Sequence, residues 1–420
     1  IDNPHAVLTT TTPEPGLLEK NAQALADTLA AKKSAMTDAE KQQLVDDTAA
    51  FTTWNDNSVT PDSTLEKIDV VDPQTVNTDI TEHAVTDETI GNGIRVMTAQ
   101  AGTDMTFATV LFDQSKYSVA DMQKLNMLSY IIGCSTAAHT QQEITRLSCG
   151  LVNGLSVSLN AQNMGDGAGV PYLGVSWYMP REKAAESTAL VFEMLESTDI
   201  TANLSLLIND INSAEVSYSD EETIATGLMV QTAFASSSQL ANLRSLLSGM
   251  SDLETMKQAV ADAKADPTAF VSSLEALRAG ALAQEGTVVM LAGDPDGTAK
   301  ETILAELAKL PLQSAGREDG SEWNKTSDKK STAFIGGGEA EYATRGINLS
   351  ALGVPVDGTK LLLCGLISNK YTTPELRYKG GAYDGSMTLA ASTGNLAFTY
   401  YRGSDALSAD SVILAAGDFL

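Results

Sequence analysis

A chain of 420 residues exceeds one ordinary domain, and its 43% hydrophobic fraction leaves enough apolar side chain for two packed cores. Its 27 basic against 54 acidic residues give a net charge of -27, which argues against nucleic acid as a partner, because phosphates need Lys and Arg to neutralise them. The same acidity either draws in basic peptides or does no more than keep the protein soluble.

At the start, IDNPHAVLTT lacks the basic region and apolar core of a signal peptide. No later stretch approaches the eighteen uninterrupted apolar residues of a membrane span. A soluble chain without a membrane partner is therefore expected; the cytoplasm is the expected compartment, which the missing signal by itself does not establish. GLLEKNAQALADTLAAKK carries Leu17 or Leu18, Ala22, Leu25 and Leu29 at helical spacing, and Thr37-Asp38-Ala39-Glu40 is a capping box opening a second helix toward Trp54. A helical hairpin is predicted. Pro61 and the Asp- and Thr-rich stretch to about Thr89 read as an extended linker.

From Gly93 the pattern changes. IRVMTAQ and TFATVLF read as neighbouring strands, and Ser118 opens a helix, VADMQKLNMLSYIIG, with an acidic residue at its third position. GLSVSLNA and YLGVSWYM add alternating strands. Helical patterns follow at 181–197, 201–217, 220–249, 252–263 and 267–283, before TVVMLAGD returns as a strand. This unit reads as α+β or α/β, an antiparallel-rich sheet with helices on one face. The polar SAGREDGSEWNKTSDKK then separates it from a second unit beginning near Ser331.

The second unit repeats part of the first. QQEITRLSCGLVNGLSVSL resembles TPELRYKGGAYDGSMTLA, with Glu143 against Glu375 and Gly154 against Gly385, so one fold is expected twice. The final SVILAAGDFL has no capping or tail signal after it, and truncation at both ends is expected.

Few side chains could carry chemistry. His5, His83 and His139 do not cluster, and no HExxH, HxxEH, GxSxG or phosphate-loop motif is present. Asp294-Pro295-Asp296-Gly297 has its Gly too early for a calcium loop and reads as a turn. Cys134, Cys149 and Cys364 are odd in number and free of CxxC pairing, so three small buried hydrophobes are expected rather than a disulfide or thiolate zinc site. Gly336-Gly337-Gly338 fits a flexible strand edge or a loop facing a substrate.

ELRYKGGAYDG differs in kind. Arg377 ends a helix or starts a loop, Gly380 and Gly381 admit backbone angles closed to other residues, and Tyr383 enters a strand. By themselves these residues describe first an ion-paired surface arginine and a half-buried strand tyrosine. Alternatively, both side chains point into one cleft.

ISNKYTTPELRYKGGAYDG, STGNLAFTYYRGSDAL and AAGDFL resemble the C-terminal half of the presequence protease branch of the pitrilysin (insulinase) superfamily, the inverzincin zinc metallopeptidases. The likeness also takes in NPHAVLTTTTPEPG, IGNGIRVMT, FDQSKYS, ITRLSCGLVNGLSVSL and GEAEYATRGINL, and so covers almost the whole chain. It implies an α+β fold with two homologous sheet-plus-helices domains after a helical hairpin linker. The divisions are 1–64 for the leading segment and linker, 65–313 for a third domain, and 314–420 for a truncated fourth.

The resemblance further implies a clamshell enclosing a chamber where unfolded oligopeptides are cut, with zinc as cofactor held by HxxEH and a later Glu in the N-terminal half. Here DMQKLNMLSYIIGC stands in the place of the zinc helix and has no such ligands. The chain is thus expected to hold no metal and to be inactive alone. Its implied partners are the N-terminal zinc-binding half of the same polypeptide and peptide substrates. Arg377, Gly380, Gly381 and Tyr383 are the implied substrate-binding residues, with Arg377 and Tyr383 completing catalysis. The competing reading is a non-catalytic scaffold or assembly subunit of the same fold; the presence of Arg377 and Tyr383 favours the enzyme.

Overall fold

The computed structural model describes residues 12, 14–57, 64, 67, 72–79, 83–163, 168–218, 229–317, 320, 322–334 and 339–419, the side chains of Leu18, Asp56 and Asn57 excepted. His5, most of NPHAVLTTTTPEPG, Pro61 and Gly336-Gly337-Gly338 lie outside the described residues. The chain divides into two compact units, residues 1–79 and 80–420.

In the first unit, helices α1 (Leu17–Ala35) and α2 (Asp38–Asn57) follow each other directly. The capping box forms: the Thr37 amide donates to Glu40 Oε2 at 2.7 Å and the Glu40 amide to Thr37 Oγ1 at 3.3 Å. Those two orphan donors of the helix start are thereby satisfied. The Thr37 amide also holds the Glu40 carboxyl below its usual range. The expected hairpin is not sealed, since Leu25, Leu29, Leu44, Val45, Phe51 and Trp54 all remain exposed.

The second unit carries a six-stranded sheet of order β1-β2-β6-β3-β5-β4. Its strands are β1 (Val85–Ile90), β2 (Ile94–Ala99), β3 (Met105–Asp113), β4 (Asn153–Asn163), β5 (Gly169–Pro180) and β6 (Val288–Ala292). Two expectations are corrected. Where an extended linker was read, β1 pairs antiparallel with β2 across a turn with positive φ at Gly91 and Gly93. Every β1 residue except Ile90 is exposed, so no apolar alternation marks it. Nor are β2 and β3 neighbours: the apolar VVMLA of β6 lies between them, parallel to β2 and antiparallel to β3. Pairing over so long a sequence separation leaves no local signature.

The helices of this unit begin with α3 (Val119–Leu128) and α4 (Gln141–Ser148). Ser118 caps α3, accepting from the Asp121 amide at 3.1 Å. Then come α5 (Ala184–Ser197) and α6 (Ile200–Tyr218). The described part of 220–249 is two helices, α7 (Met229–Phe234) and α8 (Gln239–Ser248), rather than one. Ser236, Ser237 and Ser238 favour a break, and Ser238 caps α8 through the Ala241 amide. Next are α9 (Met250–Ala265), α10 (Pro267–Ala281) and α11 (Thr298–Leu307). Asp294 accepts from the amides of Ala299 and Lys300 at 3.0 and 2.9 Å, so its loop is the turn that starts α11.

One face of the sheet buries Val96, Val110, Phe112, Val175 and Val289 against Val191 and Phe192 of α5 and Ile303 and Leu307 of α11. Helices α3, α6, α8, α9 and α10 share a second apolar cluster that includes Met122, Leu207, Leu243, Met256 and Leu274. Phe107, Tyr178 and Met290, elsewhere on the sheet, are exposed.

Beyond residue 340 the architecture repeats on a smaller scale. Strand β7 (Glu341–Asn348), helix α12 (Gly358–Ile367), strands β8 (Asp384–Ala390) and β9 (Asn395–Gly403) and helix α13 (Ala406–Leu414) follow in order, and the three strands pair into an antiparallel sheet. Its order, β7-β9-β8, is that of β3-β5-β4, and both sets are antiparallel with the last strand in the middle. Gly346 of β7 joins this sheet to α7, because a Cβ there would meet Phe234 Cε1 at 2.8 Å. The three cysteines are not uniformly buried: Cys364 is, Cys134 is half-buried, and Cys149 is exposed where α4 ends.

Asp252, at 1% exposure in the first turn of α9, accepts from the Tyr218 hydroxyl at 2.9 Å on Oδ2, while Oδ1 has no partner among the described residues. Burial pushes its pKa up to about 6, against the opposing pull of the Tyr218 hydrogen bond. Because the folded value lies above the ordinary aspartate value, the stability linked to this group is present below that ordinary value and lost as pH rises through about 6. Asp252→Asn should therefore exceed the wild type in stability near neutral pH, by up to about 3 kcal/mol, and match it below about pH 4. Urea denaturation at both pH values checks this.

Candidate functional site

ELRYKGGAYDG lies where a helix hands over to β8. After α12 the chain continues through two wide turns of π-helix, Ser368–Thr372 and Pro374–Lys379, with the Thr373 amide bonded to the Ser368 carbonyl. At its end the Gly380 amide donates to the Glu375 carbonyl at 2.9 Å, the Gly381 amide to the Arg377 carbonyl at 3.1 Å, and the Ala382 amide to the Leu376 carbonyl at 3.0 Å. This closure requires a left-handed residue, and Gly381 supplies it with φ 73.

The two glycines differ in their reasons. Gly380 has an ordinary φ of -85, so the freedom expected of it is not used. What it supplies is space, since a Cβ there would meet the Leu376 carbonyl oxygen at 2.7 Å. A Cβ on Gly381 would meet nothing within 4 Å, so what this position needs is the positive φ alone.

Arg377 and Tyr383 come together. The Arg377 guanidinium carbon is 5.7 Å from the centroid of the Tyr383 ring and 6.0 Å from that of Tyr378, within cation–π range of both. Tyr383 stands one residue before β8, edge-on to Tyr401 at 5.9 Å, and is 63% exposed. The half-buried strand tyrosine is thus corrected to an exposed one. The ion-paired arginine is corrected too: among the described residues Arg377 has no carboxylate in ion-pair reach, and its near neighbour Glu375 is paired with Lys379 at 2.9 Å.

Arg377, Tyr378, Gly381, Ala382, Tyr383 and Arg402 line one open depression. Arg402 and the tyrosine platform were not singled out from the sequence. The available signal was YYRG, two aromatics and a cation ahead of a glycine at a strand end. Its arrangement is a β-bulge: Ala343 faces Tyr400 but Glu341 faces Gly403, so Tyr401 and Arg402 together oppose Tyr342. Tyr342 and Tyr401 pack edge to face at 5.3 Å. At the bulge the carbonyls of Tyr401 and Arg402 both accept from the Tyr383 amide at 3.1 Å, which fixes the backbone of the tyrosine.

No group of three or more His, Cys, Asp or Glu is gathered among the described residues in a way that could hold a metal ion. His139 meets a single acid, with Nδ1 2.8 Å from Glu193 Oε1. The described side chains therefore do not fit zinc. No helix among the described residues is long and apolar enough to cross a membrane.

The family model for the associated domain of M16 peptidases, subfamily C, matches residues 11–258. Presequence protease 1, chloroplastic/mitochondrial, of Arabidopsis thaliana is 24% identical over 176 residues, which are 41% of this chain and 16% of that protein. The match thus takes in less than a fifth of the curated relative. Among solved structures, a conserved protein from Enterococcus faecalis V583 aligns with a TM-score of 0.53 at 13% identity, covering 80% of this chain and 78% of that one. A peptidase M16 inactive domain from Pseudomonas fluorescens aligns with a TM-score of 0.52 at 14% identity, covering 79% and 78%. At these identities the structural likeness speaks for the fold alone, an α+β fold as expected.

The left-handed closure can be tested separately. Gly381→Ala should lower stability by about 1 kcal/mol, because an alanine Cβ disfavours positive φ, whereas Gly381→Asn should lose less. Thermal melts of the two variants beside the wild type make the comparison.

Proposed function

The chain belongs to the family of domains associated with subfamily C of the M16 peptidases, and on that premise we propose that it is the substrate-binding, non-zinc half of a zinc metalloendopeptidase that degrades unfolded oligopeptides in an enclosed chamber. Arg377 held over the ring of Tyr383, with the tyrosine exposed at an open depression, carries this reading. Peptide hydrolysis puts negative charge on the scissile carbonyl oxygen, and donors aimed there stabilise the transition state more than the ground state. Tyr383 is such a donor: its backbone is fixed at the bulge, and its hydroxyl has no partner among the described residues. Arg377 binds the substrate backbone beside the cleavage point, and the Gly380-Gly381 turn lets the peptide come close.

The partner in this reading is the N-terminal zinc-binding half of the same polypeptide, which holds the zinc. By itself the chain is inactive. We place a domain division near residue 314, between the six-stranded sheet ending at Ala292 and the three-stranded one beginning at Glu341. The cytoplasm is the compartment we propose, and cell fractionation tests it. The net charge of -27 favours basic peptides over acidic ones.

In the enzyme with both halves, Tyr383→Phe should lower kcat by roughly 10²-fold to 10³-fold, the range for one oxyanion donor, with little change in KM. Arg377→Ala should damage both. Steady-state kinetics with folding checked by circular dichroism decides, and wild-type turnover in both variants would return the chain to the scaffold reading. Separately, metal analysis of this chain alone by mass spectrometry should find no stoichiometric zinc; one zinc per chain surviving mild chelation contradicts the assignment as a non-zinc half.

A further inference from the structure

Arg402 has no part in the backbone binding described above, yet its conformation is the most constrained at the site. It is the one residue other than glycine, among those described, with φ in the left-handed region, at 52. Arginine lacks the short polar side chain with which Asn or Asp bonds its own backbone there, so the position is strained, and such strain gathers where a side chain must be aimed. The bulge that imposes it also needs Gly403, whose missing Cβ leaves room for the Tyr400 hydroxyl. The result sets Arg402 on the depression already lined by Arg377 and Tyr383.

Two other guanidinium forks in this acidic chain are filled by carboxylates. Arg95 grips Asp87 through Nε and Nη2, and Arg345 grips Asp410 in the same two-pronged way. Neither Arg377 nor Arg402 has a carboxylate in ion-pair reach among the described residues, although acids outnumber bases 54 to 27. Two open forks and a tyrosine hydroxyl around one depression suit an anion with two coplanar oxygens. Phosphate would also want free backbone amides, and the amides of Gly380, Gly381, Ala382 and Tyr383 are all occupied by carbonyls.

We infer that Arg402 is a specificity-determining residue which, with Arg377, forms a subsite beside Tyr383 for a carboxylate of a bound peptide, either its C-terminus or an acidic side chain. The inference rests on the peptide-binding reading of the site. In a chain of such negative charge, this basic spot gives a peptide's carboxylate a defined place and so sets the peptide's direction.

The test is fluorescence anisotropy of the full 420-residue chain with one labelled octapeptide in three forms: free C-terminal acid, C-terminal amide, and amide carrying one internal glutamate. The free acid, the glutamate-bearing amide or both should bind roughly 10-fold to 100-fold tighter than the plain amide. Tight binding of the acid alone identifies the terminus, and tight binding of the glutamate form identifies the side chain. Arg402→Asn should erase the preference while its thermal midpoint holds or rises, because asparagine is tolerated at this φ. Equal binding of all three forms overturns the subsite and leaves peptide binding standing; no binding of any form overturns both. A preference that survives in a folded Arg402→Asn variant overturns the role of Arg402. Displacement of the acid by inorganic phosphate, where acetate at equal ionic strength does nothing, overturns the carboxylate assignment.

Discussion

The candidate site hangs on the contact between a helix and a strand that only a glycine permits. A Cβ on Gly385 of β8 would run into the side chain of Leu376, which is 3% exposed in the heart of the small sheet's core. With no side chain there, the π-helical segment lies directly on the strand. The hydroxyls of Thr372 and Thr373 then reach the Gly385 carbonyl at 3.2 and 2.9 Å, replacing hydrogen bonds lost at the sheet edge. Leu376 is thus pinned from one side, and its neighbour Arg377 is turned outward. The strand that pins it begins one residue after Tyr383, so one packing contact sets the spacing of both side chains.

The two sheets make the same platform and use it differently. In the larger one Tyr178 of β5 faces Asn153 and packs on Phe107 at 5.6 Å; in the smaller one Tyr401 of β9 faces Asp384 and packs on Tyr342. Gly154 and Gly385 open the corresponding strands, but a Cβ on the first would meet the Tyr178 ring at 2.6 Å and one on the second would meet Leu376. Two residues before each glycine stand Val152, buried, and Tyr383, exposed. A repeated scaffold therefore presents an exposed tyrosine at one copy and a buried valine at the other, where the approach to the strand differs.

Features set by neighbours in sequence were legible before the structure. The Thr37 and Ser118 caps, the alternation of β4 and β5, and the turn at Asp294 each depend on side chains a few residues apart. The insertion of β6 between β2 and β3 depends on pairing across most of the unit and leaves no local trace. Strand β1 escaped notice because it is an exposed edge, and the break before α8 because three serines were read as helix rather than cap. At the site, Arg377 and Tyr383 stood out by spacing and resemblance. Arg402 did not, because its place is decided by a bulge whose extra residue is defined only against the partner strand. Burial of Tyr383 was misjudged for a related reason: it precedes the strand, so alternation does not govern it.

The π-helix adds a consequence of its own. Such a turn holds one more residue than an α-helix of the same extent, and each residue of an α-helix advances the chain by about 100° around the axis. The segment behaves like a helix with a single-residue insertion, tolerated because the flanking threonines and glycines absorb it. Removing one residue between Ser368 and Glu375 would turn every following residue by about 100° relative to α12, carrying Arg377 away from the Tyr383 ring and Leu376 away from its core contacts together. The extra residue of the π-helix therefore serves the core of the small sheet and the contact of Arg377 with Tyr383 at once, and neither is kept when it is lost.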